Sequence, residues 1–181
     1  MTNKQKLKNR STKAPKLKKS WKLNFVSEYR GKTGAFSKAV AKRLEQAFSL
    51  ALESLPQSAL ESVPEECSGV QVLFVDDKAI HKINKRWRQK DKATDVISFP
   101  ALEAKFPGPC LELGDIIISI DTAKRQAKEF GCSFFEEMLR LLIHGMLHLL
   151  GFDHVGVSKN KANQMRRLER KILKTCVFRA Q

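Results

Sequence analysis

Apolar side chains recur every three or four positions from Phe36 through Val40, Leu44, Phe48 and Ala51 to Leu55, the spacing of one helix face against a core. Pro56 and Pro64 bracket the loop that follows. Residues 21–30 and 70–75 read as strands, the second rich in β-branched and aromatic residues. Asp76 or Asp77 can cap the next helix, which carries Ile80, Ile83 and Trp87 at helical spacing and ends at Arg88. In that helix Trp87, four positions after Ile83, reads as a core anchor. Residues 94–99 and 114–120 read as two more strands, the latter almost wholly apolar and so buried, with residues 101–110 as the loop between them. Helices follow over 121–130, 134–150 and 160–176. The last has an apolar stripe of Met165, Leu168, Ile172 and Cys176, while Arg166, Arg167, Arg170, Lys171 and Lys174 form its solvated face. This order predicts an α+β fold, a small mixed sheet of three to four strands covered by about five or six helices, with the helix over 134–150 across one face.

Charge adds a partner to this outline. The 181 residues hold 34 Lys and Arg against 19 Asp and Glu, a net charge of +15, which favours a polyanion and nucleic acid above all. Lys4, Lys6, Lys8, Arg10, Lys13, Lys16, Lys18 and Lys19 fall in the first twenty positions, where there is no acid. With so few apolar residues, 1–20 reads as a disordered lysine-rich extension, either a solubilising tail or an RNA contact, and 21–181 as a single domain. A second basic run, 81–92, surrounds Trp87 and Asp91 and suits phosphate contacts, with Arg86, Lys90 and Lys92 as candidate RNA-binding residues. Nothing in it selects DNA. The chain has neither an apolar segment of signal-peptide type nor an apolar run long enough to span a membrane, and its four cysteines are scattered. A cytoplasmic protein with free thiols is expected.

The chemistry is concentrated near the C-terminal end. Three of the four histidines, His144, His148 and His154, fall within eleven residues. On a helix, His144 and His148 lie one turn apart on the same face, with Cβ atoms roughly 5–6 Å from each other. Gly151 can stop the helix and let the chain bring His154 back to the same point. Three protein ligands leave a fourth position open, the pattern of a catalytic zinc site, whereas structural zinc sites are closed by four ligands. The plain alternative is a buried, hydrogen-bonded histidine cluster. One class of zinc proteases shares this spacing but places a glutamate after the first histidine as general base, where this chain has Gly145. A metalloprotease-like hydrolase is therefore short of its base, and an RNA- or ribosome-binding module with structural zinc would leave the open position unexplained.

Three blocks together resemble the YbeY family of bacterial and organellar endoribonucleases. They are Asn84-x-x-Trp87-Arg88-x-Lys90-Asp91-Lys92-x-Thr94-Asp95-Val96-Ile97-Ser98-Phe99-Pro100, then Leu113-Gly114-Asp115-Ile116, then the run from His144 to His154. The resemblance covers residues 21–178 and departs mildly, with Ala93 for a common proline, Ile97 for leucine and Phe152 for tyrosine. It implies a metal-dependent, single-strand-specific endoribonuclease acting in 16S rRNA maturation and ribosome quality control, with RNA and the ribosome or its small subunit as partners. It further implies one Zn²⁺ held by His144, His148 and His154, with Arg88 as the functional arginine. Arginine suits that role because its planar fork meets two phosphate oxygens at once. Asp115 is a candidate to orient a ligand histidine or the attacking water, and Asp153 a weaker one; for either acid a structural cap or salt bridge is the simpler reading.

Overall fold

Two runs of β-branched and aromatic residues, β2 (Gly69–Val75) and β4 (Glu112–Ser119), take the two central positions of a four-stranded sheet. β1 (Lys22–Ser27) lies outside β2 and β3 (Val96–Pro100) outside β4, giving the order β1-β2-β4-β3. β1 and β4 run parallel to β2, and β3 runs antiparallel to β4, so the sheet is mixed. The computed structural model describes residues 22–27, 37–61, 63–64, 67, 69–101 and 112–179. Among them are five helices and one 3-10 turn (Gln57–Ala59), as the α+β expectation required. The expected extension 1–20, the ends of the 21–30 strand and residues 102–110 of the proposed loop lie outside the described residues.

Parallel neighbours need crossover connections, and helices supply them. α1 (Lys38–Glu53) links β1 to β2, its N-terminus capped by the Ser37 hydroxyl accepting from the Val40 N–H. α2 (Asp77–Arg88) follows β2 directly, with Asp76 as the cap accepting from the Ala79 N–H. α3 (Ile120–Phe130), α4 (Phe134–Leu149) and α5 (Lys159–Arg179) complete the chain.

Side chains alternate across the pleat, so each strand feeds two faces. On one face Val70, Val72, Phe74, Ile116 and Ile118 meet Leu44, Phe48, Ala51 and the buried residues of α4 and α5 in the main core. The predicted stripe of the last helix is there as expected, with Met165, Ile172 and Cys176 buried and the five basic residues outside. On the other face, Val75, Ile80, Ile97 and Ile117 form a smaller cluster under α2.

That second cluster is too short to cover the end of α2, which corrects one expectation. Trp87 is not a core anchor: it is 63% exposed and meets Phe99 edge to face, at 6.1 Å between centroids. Gln89, in the left-handed conformation, ends the helix one residue beyond Arg88.

Candidate metal centre

α4 is apolar nearly all round, yet Glu137, Arg140, His144 and His148 line up on it at intervals of three, four and four residues. Those intervals put all four on one stripe. A full capping box fixes where the helix begins: the Ser133 hydroxyl accepts from the Glu136 N–H, and the Glu136 carboxylate accepts from the Ser133 N–H. At the other end the Gly151 N–H donates to the His148 carbonyl and the Phe152 N–H to the Leu147 carbonyl. This closure needs a left-handed residue, and Gly151 supplies it at φ 81°. Asp153 then turns the chain again, its Oδ1 accepting from the N–H groups of His154 and Val155 at 2.6 and 2.9 Å. These two bonds hold its carboxyl below the usual carboxylate range.

The result is a triangle of imidazoles. Ring centroids are 4.8 Å apart for His144 and His148, 5.0 Å for His144 and His154, and 5.1 Å for His148 and His154. One nitrogen of each ring lies within 4.8 Å of those of the other two, and the Nε2 atoms of His144 and His148 are 3.2 Å apart. Two nitrogens bound tetrahedrally to zinc at about 2.0–2.1 Å would stand roughly 3.4 Å from each other. The donor set therefore fits a small divalent cation with little movement. Burial, reinforced by His144 and the Arg88 guanidinium, pushes the His148 imidazole down to about 4, and burial also lowers His154. Both are thus neutral near pH 7, the form a metal binds. His154 Nδ1 is buried without a hydrogen-bond partner, a further sign that the site is built for a guest.

The Nδ1 atoms of His144 and His148 face carboxylates. His144 Nδ1 lies 3.4 Å from Glu169 Oε2 on α5, and His148 Nδ1 lies 3.9 Å from Asp153 Oδ1. Asp115, the candidate acid of β4, stands on the sheet face away from α4. Gly114 at φ 144° and the shifted register opposite Gly69 and Gln71 form a bulge, so Leu113 and Ile116 both face α4 while Asp115 shares the opposite face with Ile117. Partial desolvation and Glu112 raise its carboxyl. Glu169 is not among the residues that the sequence pattern singles out. A signal is there: it sits four residues after Met165 and three before Ile172, beside the buried stripe of an otherwise basic helix.

Arg88 approaches from the other face of the sheet. Asp95 accepts from Ser119 and Ala101 donates to Leu113, so odd positions of β3 pair with β4 and Ser98 turns its backbone outward. Arg88 Nη2 donates to the Ser98 carbonyl at 3.0 Å, which brings the guanidinium round the outer edge of β3 and close enough to oppose charge on His148. Lys90 and Lys92 are exposed on the following loop, which the buried Asn84 pins by donating to the Lys92 carbonyl. Arg86 lies over the exposed face of Trp87, 5.3 Å from the centroid. Asp91 turns back to Lys85 and His81, at 2.8 and 2.7 Å, and so neutralises part of the basic run.

Gly145 explains why no protease base stands here. A Cβ at this position would lie 2.7 Å from Ile116 Cγ2 and 3.0 Å from Ser98 Oγ, so the position presses on the sheet and leaves no room for a glutamate side chain.

Fold and site together define an α+β protein with three clustered histidines that could hold a metal ion and an arginine at their margin. The Endoribonuclease YbeY family model matches residues 32–177, and the chain belongs to that family. Proteins named Endoribonuclease YbeY are similar to it in Rhizobium johnstonii, 43% identical over 71% of this chain and 75% of that protein, and in Heliobacterium modesticaldum, 39% identical over 84% and 93%. One from Myxococcus xanthus is 54% identical over 60% of this chain, which spans only 37% of that longer protein. A solution structure from Thermotoga maritima shares the fold, with a TM-score of 0.51 and 23% identity over 86% of this chain and 89% of that one.

Proposed function

We propose that this chain is a zinc-dependent endoribonuclease that cuts single-stranded RNA in 16S rRNA maturation and ribosome quality control. Family membership supports the RNA-hydrolysing activity. The observation that carries the metal dependence is the convergence of three imidazole nitrogens within 4.8 Å. Zinc suits three neutral imidazoles and an open position. When bound, such an ion lowers the pKa of water to about 7 and polarises phosphoryl oxygens. His144, His148 and His154 would hold it.

The protein's own residues supply the rest. Arg88, tied by one nitrogen to Ser98, keeps further N–H groups free to meet two oxygens of a phosphodiester and offset the charge that develops on it. Lys90, Lys92 and Arg86 extend the positive surface along which a strand would run, with Trp87 exposed among them as an aromatic plane. Residues 21–181 form the cleaving unit in this reading, and 1–20 a tether to ribosomal RNA at the ribosome or its small subunit. No described helix is long and apolar enough to cross a membrane. The cytoplasm is the proposed location.

The test compares purified protein with and without zinc on a single-stranded RNA, casein and a chromogenic phosphodiester. Zinc-dependent cleavage of the RNA and none of casein is expected. Casein cleavage, or RNA cleavage indifferent to zinc, would overturn the proposal.

A further inference from the structure

The polar stripe of α4 does not stop at the histidines. Glu137 is 1% exposed and holds Arg140 through two bonds, at 2.6 and 2.9 Å. Arg140 in turn reaches Asp95 at 3.7 Å and Glu169 Oε1 at 3.8 Å. The other oxygen of Glu169 is the one beside His144 Nδ1. A continuous row of charges thus runs from a buried carboxylate to a ring of the metal centre, and Glu169 is the member that α5 contributes. A charge buried as deeply as Glu137 is retained only where it is paired, and here its partner also lies against the carboxylate that faces the histidine.

We infer that Glu169 is the positioning residue for His144: it accepts a hydrogen bond from the Nδ1–H, fixes the tautomer that leaves Nε2 free, and is itself held in place by Arg140. Ligand histidines of metal sites regularly use a carboxylate in this way, and its loss costs about 10–100-fold in metal affinity. The arrangement also makes the seating of α5 part of the metal centre, because the carboxylate that meets His144 arrives from that helix. The inference rests on the proposal that the three histidines hold zinc, but its test does not use RNA cleavage.

The experiment measures the zinc dissociation constant by competition with a chromogenic chelator for wild type, Glu169→Ala and Glu169→Gln. Glu169→Ala is expected to bind zinc about 10–100-fold more weakly. Glu169→Gln, whose amide oxygen still accepts a hydrogen bond from Nδ1–H, should stay within about threefold of wild type. A merely structural role would lower the melting temperature of the metal-free protein in both variants and give no rescue by glutamine. Nitrogen-15 spectra of the histidine rings supply a second readout: His144 should carry its proton on Nδ1 in wild type and in Glu169→Gln. Wild-type affinity in Glu169→Ala, no rescue in Glu169→Gln, or a His144 proton on Nε2 would each overturn the inference. Failure of the wild-type protein to bind zinc would instead sink the proposed metal centre itself.

Discussion

Replacing Gly145 with alanine probes the closest approach between the histidine helix and the sheet. The new methyl would meet Ile116 Cγ2 at 2.7 Å, Ser98 Oγ at 3.0 Å and Ile116 Cδ1 at 3.1 Å. Carbon atoms in contact prefer about 3.5–4.0 Å, so helix and strand must part by roughly 1 Å at this point. Neither neighbour gives way easily, since Cγ2 belongs to a β-branched side chain with a stiff χ1 on a central strand. Overpacking of this kind costs about 1–3 kcal/mol, and the better helix propensity of alanine offsets up to about 1 kcal/mol of it. A net loss of about 1–2 kcal/mol is expected, or about 2–8 °C in melting temperature for a chain of this size. Turnover should fall with it, because the helix being pushed carries His144 and His148 while Arg88 stays tied to the strand. Ile116→Ala removes both crowding carbons and costs about 2–5 kcal/mol alone. In the double variant the alanine methyl occupies part of the vacated space, so the loss should undershoot the sum of the single losses by about 1 kcal/mol or more. Denaturant unfolding of the four proteins measures this. Additivity within about 0.5 kcal/mol would refute the packing argument.

Three further outcomes are expected. Arg88→Lys should keep zinc and RNA affinity but lose its two-point grip on the phosphate, lowering turnover about 10²-fold; unchanged turnover at matched zinc content would remove Arg88 from the reaction. Because His148 is held near about 4, against roughly 6.5 in an unfolded chain, the folded metal-free protein binds fewer protons than the unfolded one between those values. Its stability should therefore be independent of this group above pH 6.5 and fall as pH drops from 6.5 towards 4, with a slope that shrinks in His148→Ala; equal slopes in the two proteins would contradict the burial argument. Deleting residues 1–20 removes eight basic side chains and should leave cleavage of a short oligonucleotide near wild type while flattening the salt dependence of binding to ribosomal RNA, by about 0.7 in log slope for each phosphate the extension had neutralised. Identical slopes for both proteins would reduce the extension to a solubilising tail.

Where local signals and packing agreed, the sequence was enough. The stripe from Val40 to Leu55, the Asp76 cap, the stop at Gly151 and the return of His154 all rest on short-range spacing, and the structure places each of them. Trp87 misled because helical spacing gives the face of a residue but not how far the opposing layer extends; the small cluster under α2 ends before it. The face that Asp115 takes was not legible for a different reason. A strict two-residue alternation over 112–119 would keep Leu113, Asp115 and Ile117 together and set Ile116 opposite them. In the structure Leu113 and Ile116 share the α4 face. The change of phase happens at Gly114, where a Cβ would run into the Phe99 carbonyl and would also meet Ala101 N and Leu149 Cδ2, both at 3.0 Å. Only glycine permits so close a passage at φ 144°, and the bulge it allows sends the next carboxylate to the far side of the sheet. Of the two acids beside the histidines, Asp153 is local in sequence, whereas Glu169 comes from 25 residues beyond His144 on another helix. Its sequence spacing marks it as lying beside the buried stripe, but only the packing of α5 on α4 decides which ring it meets.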